Sequence, residues 1–352
     1  VLLLLTVPVW AVPQQEQVDQ KALMQNSIKF YRAGNFKKAV ELLERYTRKW
    51  AEDPTGFYSL GLSYYECGQF QEALDSQRKC LLLCQMAQDR GQPVPQVLRR
   101  NATTAYEAAV QQRVYELMND GRMDEALAQA DSAIALMPEG PGTHFAKGAV
   151  LFERWFQSEN SEDRAQSKRA WEQARRLQPV SATGELLAGI NAFENRDFPR
   201  ARTHFDVALQ MRPNNRYATL WLGLVEARLG NLDTALQHLQ ACLEQFPRNP
   251  MVHFYIGEVY NGQARREEAE EQFREAIRLN PDFALAHGTL GDMARHTGRL
   301  DMAIKEYGLA VQSRPNSFDY RLRLASILRE AGRRDEALAE FQNIDFEQML
   351  ET

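Results

Sequence analysis

Residues 213–246 read PNNRYATLWLGLVEARLGNLDTALQHLQACLEQF, and residues 247–280 read PRNPMVHFYIGEVYNGQARREEAEEQFREAIRLN. Laid one above the other, the two stretches agree at the positions that shape a chain. Pro213 falls on Pro247, Gly223 on Gly257, Ala235 on Ala269, and Cys242 on Ala276. The agreement extends in both directions with a period of 34. Gly189, Gly223, Gly257 and Gly291 keep it, and the next step lands on Ala325. So do Ala201, Ala235, Ala269, Ala303 and Ala337, and Ala174, Ala208, Cys242, Ala276 and Ala310. Pro179, Pro213, Pro247, Pro281 and Pro315 complete a fourth interleaved series. Self-similarity at this period marks a stack of equivalent supersecondary units.

Each slot has a physical reason. Ala188, Leu222, Ile256, Leu290 and Leu324 precede the Gly/Ala slot and supply the apolar ridge of a first helix. The small residue beside them lets a neighbouring helix approach closely. A turn follows, as in Gly230-Asn231-Leu232 or Gly298-Arg299-Leu300, where glycine can take the left-handed conformation that ends a helix. A second helix then carries the Ala201-type methyl and, four residues on, Phe205, Leu239, Phe273, Tyr307 or Phe341. That spacing defines one helical face. The proline closes the unit because it cannot continue a helix.

These slots resemble the tetratricopeptide repeat, a helix–turn–helix unit with the same small, aromatic and proline positions. Upstream, Ser27, Gly34, Phe36, Ala39 and Tyr46 align with Gly61, Gly68, Phe70, Ala73 and Cys80. A further unit runs through Val114, Gly121, Met123, Ala126, Ala133 and Pro138, and another from Phe145, Ala146 and Gly148 to Ala174 and Pro179. The resemblance implies an all-α fold, a right-handed α-α superhelical solenoid of about nine repeats. It also implies a non-catalytic function in holding proteins or peptides on the face lined by first helices.

Departures from the period divide the chain. Gly68 and Gly121 lie 53 apart, which places an insertion near 85–100 that reads as a loop or an extended helix end. A second insertion falls near 155–166. Residues 12–180 therefore read as irregular repeats, 181–345 as a regular array, and 346–352 as a tail containing Phe346, Met349 and Leu350. Val1–Ala11 (VLLLLTVPVWA) is an apolar run with Val9 and Ala11 in the small-residue pattern of a signal-peptidase site. We expect a signal peptide and an exported chain, periplasmic or secreted. The end of a membrane anchor, or padding on the first helix, are the competing readings. No other stretch is long and apolar enough to span a bilayer.

The composition supports a core and narrows the function. With 44% hydrophobic and 25% charged residues, the chain can bury a sizeable interior. A net charge of -5, without a stripe of Lys and Arg, argues against nucleic acid as a partner. Cys67, Cys80 and Cys84 allow either one bridge in an oxidising compartment or three small buried residues. His144, His253 and His287 share one repeat slot, and His204 and His238 share another, so they are spread along the array and do not converge on an ion. We expect no metal and no cofactor. The sequence has no phosphate-binding glycine loop, no GxSxG turn and no HExxH helix. Carboxylate runs such as Glu267-Glu268-Ala269-Glu270-Glu271 read as solvated helix faces paired with nearby arginines.

A groove can be sketched from first-helix residues off the packing ridge. It comprises Leu186, Ile190, Phe193, Leu220, Trp221, Leu224, Phe254 and Tyr255, turning charged at Asp292, Arg295, His296, Arg323 and Arg329. Aromatic and Arg residues in a concavity make good anchors. The competing reading is that these side chains pack between adjacent units. The functional expectation is an adaptor in a bacterial cell-envelope assembly or export complex, either monomeric or part of a hetero-complex. A regulatory subunit of a separately encoded enzyme, or a self-assembling solenoid, are the alternatives.

Overall fold

The computed structural model describes residues 14–158, 160–245 and 247–343. Among the described residues every regular element is an α-helix, and the helices form nine successive hairpins. These are α1 (Gln14–Arg32) with α2 (Phe36–Lys49), α3 (Pro54–Glu66) with α4 (Phe70–Asp89), and α5 (Gln96–Asn119) with α6 (Met123–Leu136). Then come α7 (Pro141–Ser158) with α8 (Ser161–Leu177), α9 (Ala182–Glu194) with α10 (Phe198–Met211), and α11 (Arg216–Arg228) with α12 (Leu232–Gln245). The last three pairs are α13 (Pro250–Gly262) with α14 (Arg266–Leu279), α15 (Ala284–His296) with α16 (Leu300–Ser313), and α17 (Phe318–Glu330) with α18 (Arg334–Gln342). The fold is the expected all-α helical-repeat solenoid.

The chain divides into two compact units, Val1–Val150 and Leu151–Thr352. In the first, the insertion near 85–100 is absorbed mostly as helix: α4 has 20 residues and α5 has 24, against 13 and 14 in α11 and α12. Arg99 on α5 donates to Gln88 Oε1 at 2.7 Å and holds the two extensions together. Cys80 and Cys84 are free thiols packed with Leu98 and Ala102 in a small apolar core. The insertion near 155–166 likewise lengthens α7 and α8. Val1–Ala11, read as a signal peptide, and the tail from Phe346 onward lie outside the described residues.

The Gly slot is more tightly constrained than general helix approach requires. A methyl added at Gly257 would lie 2.6 Å from the Phe273 ring, and one at Gly291 would lie 2.7 Å from the Tyr307 ring. The residue sixteen positions on, at the centre of the same hairpin's second helix, thus lays its side chain across the bare glycine backbone. Phe205, Phe273 and Tyr307 are completely buried in this arrangement.

Polar side chains clamp the two helices of a hairpin at a second pair of slots, nineteen residues apart. His204 Nδ1 meets Glu185 at 2.8 Å, His253 Nδ1 meets Gln272 at 2.8 Å, and His287 Nδ1 meets Glu306 at 2.7 Å. In the last hairpin Arg321 replaces the imidazole and donates to Glu340 at 2.7 Å. The same residue also reaches the carbonyl of the preceding turn proline, His287 to Pro281 at 3.0 Å and Arg321 to Pro315 at 2.7 Å. His204, His253 and His287 are therefore hairpin clamps, and the burial of each imidazole is compensated by its partner.

The turn slot within each hairpin from α9 to α18 takes a left-handed backbone. Gly230, Gly298 and Gly332 occupy it with φ of 84°, 71° and 79°, but the equivalent positions in two units are Arg196 (φ 59°) and Ala264 (φ 61°). A side chain here costs about 1–2 kcal/mol, because Cβ crowds the following carbonyl. Ala264→Gly is accordingly expected to stabilise the protein by about 1 kcal/mol, read as a rise in the midpoint of chemical denaturation. An unchanged or lowered midpoint would show that the neighbouring turn has already relaxed the strain.

Candidate binding cleft

Within the second unit, a cleft of about 1140 Å³ opens among α7, α8, α9, α11 and α13. Its wall repeats with the chain. Leu187, Trp221 and Tyr255 occupy one slot on three successive first helices; Ile190, Leu224 and Glu258 occupy the next; Glu194, Arg228 and Gly262 occupy the third. The second and third slots lie three and seven residues after the first, so all three fall on one helical face. Phe152 and Trp155 from α7, and Trp171 from α8, close the end where the repeat is irregular.

An aromatic cluster forms the floor. Phe152 lies 5.3 Å from Trp171 and 5.8 Å from Trp221, centroid to centroid, and Phe193 meets Trp221 edge-on at 5.1 Å. Such tilted and edge-on pairs add roughly 0.5–1.5 kcal/mol each beyond area burial. The floor is therefore rigid. Trp171 is 2% exposed and Trp221 8%, whereas Trp155, Phe193 and Tyr255 remain partly open to the cleft.

Charges ring the floor. Glu194 accepts from Arg164 at 3.0 Å and from Lys168 at 2.7 Å. Burial pushes its carboxyl upward, but the hydrogen bonds from Lys168 and Arg164 override this and hold its pKa below the usual carboxylate value. Arg164 also lies 4.9 Å over the Trp155 ring. Glu258 is exposed by area, yet desolvation by the walls raises its pKa, with the charge of Arg228 opposing the rise. Crowding pushes the Tyr255 phenol up as well.

The structure sorts the groove residues predicted from sequence into three groups. Ile190, Phe193, Trp221, Leu224 and Tyr255 come together in the cleft wall. Leu186 and Leu220 do not reach it: they are 0% and 2% exposed, packed inside the stack. Phe254 also turns inward, against Phe273 and Phe283 at 5.5 Å each. The correction has a simple cause. Helix α11 is buried over every residue from Tyr217 to Glu226, so being off the ridge of its own hairpin does not make a residue accessible.

The charged end of the predicted groove is closed upon itself. Arg323 is paired with Asp292 and with Asp319, Arg295 with Glu330, and the Tyr307 hydroxyl donates to Asp292 at 2.6 Å. Arg295 and Arg323 are thus engaged within the array and lie outside the cleft. Sequence reading missed Phe152, Trp155, Trp171, Arg196, Arg228 and Glu258. The slot arithmetic that links Glu258 to Leu224, and Arg228 to Glu194, could have found two of them. Phe152, Trp155 and Trp171 carry no such signal, because the insertion breaks the register.

A buried polar bridge ties α7 to α13 within this unit. Asn249 caps α13 by accepting from Met251 N at 2.8 Å and donates from Nδ2 to Glu153 Oε1 at 3.0 Å. Glu226, 1% exposed, pairs with Arg202 at 3.0 Å and accepts from Asn231 at 2.7 Å. Among the described residues no three His, Cys, Asp or Glu side chains are placed to hold a metal ion, and no helix is long and apolar enough to cross a membrane.

Fold and cleft together define a class: a solenoid of helical hairpins whose first helices wall a rigid, partly apolar recess. The tetratricopeptide repeat profile matches residues 27–87, 186–250 and 255–318, more than half of the 352 residues, and the chain belongs to the tetratricopeptide repeat family. This fold generally mediates protein–protein interaction. Among solved structures, the Cut9–Hcn1 hetero-tetramer of the APC/C is similar over 92% of this chain and 80% of that one, with a TM-score of 0.53 and 13% identity. A thermophilic tetratricopeptide repeat protein of Thermus thermophilus is similar over 46% of this chain and 89% of its own, at 25% identity and a TM-score of 0.40. MamA is similar over 44% and 91%, at 23% identity and a TM-score of 0.38. No curated protein matches the sequence.

Proposed function

We propose that the protein is a non-catalytic adaptor that receives a peptide or helical segment of a partner in the cleft of its second unit. The observation that carries this is the alignment of Ile190, Leu224, Trp221 and Tyr255 on one face of three consecutive first helices, above a rigid aromatic floor. A prefolded receptor loses little conformational entropy on binding, so its partner's ordering is the main cost. Side chains at a repeat of 34 residues present equivalent contacts at the spacing of neighbouring helices, which suits an elongated ligand. The setting we propose is a cell-envelope assembly or export complex, on the reading of Val1–Ala11 as a signal peptide.

The test is capture from envelope extract with the full chain and with a Phe193→Ala/Tyr255→Ala variant. Both positions are only partly buried, so the variant should retain its helical circular dichroism. A partner held by the parent and lost by the folded variant supports the adaptor reading and its site. Identical sets of proteins on both baits would show that this cleft is not where the chain works. Fractionation of cells carrying a tag after Thr352 tests the setting separately.

A further inference from the structure

The cleft is lined by more cations than its own carboxylates neutralise. Arg164 and Lys168 are both committed to Glu194, and Arg169 stands 4.0 Å from Glu162. Arg196 and Arg228 are different. Both are exposed at the cleft, and among the described residues neither side chain makes an ion pair or a hydrogen bond. Arg228 acts on Glu258 and Tyr255 by Coulomb attraction, without an ion pair. In a chain of net charge -5, these two guanidinium groups form a local positive rim around an apolar floor.

Arg196 carries a second observation. It holds a left-handed turn position (φ 59°) that glycine occupies in six other hairpins and alanine in one, a conformation that strains any residue with a Cβ. That side chain is placed at the cleft and engages none of the described residues. Arg228 sits in the slot that holds the neutralised Glu194 one unit earlier and Gly262 one unit later.

We propose that the cleft selects an acidic segment of a protein partner. One aromatic or aliphatic side chain seats among Phe193, Leu224 and Tyr255, and flanking Asp or Glu carboxylates engage Arg196 and Arg228. The inference rests on the adaptor reading above and adds the partner's chemistry to it. Guanidinium is suited to this role, because its planar fork binds a carboxylate through two parallel hydrogen bonds. An oligosaccharide would need open ring faces to stack on. Here Trp171 and Trp221 are nearly fully buried and Arg164 covers Trp155, so no indole of the floor presents an open face.

The experiment is selection of random short peptides displayed on phage against the full chain, with counter-selection on the Phe193→Ala/Tyr255→Ala variant to keep only cleft binders. Affinities of the selected peptides are then measured by anisotropy against the parent and an Arg196→Glu/Arg228→Glu variant, whose exposed positions leave the core untouched. The expected peptides combine an aromatic or Leu residue with Asp and Glu. They should lose about tenfold or more in affinity on the charge reversal, weaken with added salt, and regain affinity for the reversed variant when Lys replaces their acidic residues. Cleft-binding peptides that are neutral or basic and indifferent to the charge reversal would overturn this inference and leave the adaptor reading standing. No cleft-binding peptide, or retention only of acidic oligosaccharides on a glycan array, would overturn both.

Discussion

Leu220→Glu unfolds the second unit rather than silencing a binding surface. Leu220 is 2% exposed on a helix whose residues from Tyr217 to Glu226 are all buried. The substitution removes a packed isobutyl group and puts a carboxylate where no partner has been provided. Loss of the side chain alone costs about 2–5 kcal/mol, and an uncompensated buried charge adds several more. The sum is comparable with the whole stability of a domain, so loss of near-ultraviolet circular dichroism and of cooperative denaturation is expected. Tyr255→Ala, in contrast, trims a half-open side chain and should cost only about 1 kcal/mol. If Leu220→Glu stayed folded with a midpoint near that of the parent, the placement of α11 at the centre of the stack would be wrong.

The second large effect lies in the ring-over-glycine contact. Phe273 is completely buried, lies 5.5 Å from Phe254, and covers Gly257 so closely that an added methyl would meet it at 2.6 Å. Phe273→Ala should cost about 3–5 kcal/mol through lost burial and the cavity that remains. Gly257→Ala should cost about 1–3 kcal/mol, because a methyl is forced into the ring. The two effects cannot be independent. In the Phe273→Ala background the methyl at 257 enters vacated space, so its cost should vanish or change sign, a coupling of about 1–3 kcal/mol in a double-mutant cycle. Additive costs would mean that the glycine is there for the approach of another helix and not for this ring.

These expectations separate what can be read along a chain from what cannot. The period of 34 and the slots for glycine, alanine, aromatic residue and proline specify a helical hairpin and its stacking. Each slot is a local steric demand: a bare backbone under a ring, a left-handed turn, a helix that must stop. Local demands repeat, and repetition makes them legible. The histidine slots were legible as periodic, and their periodicity already argued against a shared ion. Their role as clamps to Gln272 and Glu306 appeared only with the second helix in place.

The candidate site was half legible. Ile190, Phe193, Trp221, Leu224 and Tyr255 line the cleft, while Leu186, Leu220 and Phe254 share nearly the same pattern and do not reach it. A first helix in the array is covered by its own partner helix and by the hairpins before and after it. A difference of one position on its wheel therefore decides between a wall and a core. The charged residues show the same limit. Arg323 and Arg228 look alike in sequence, but Asp292 and Asp319 hold the first in ion pairs, and the second makes neither an ion pair nor a hydrogen bond among the described residues. The sequence by itself determined that this protein is a stack of helical hairpins, because that property follows from contacts within one repeat. Only the tertiary structure decided which side chains of that stack still face a ligand, because accessibility and charge pairing depend on residues far apart in the chain.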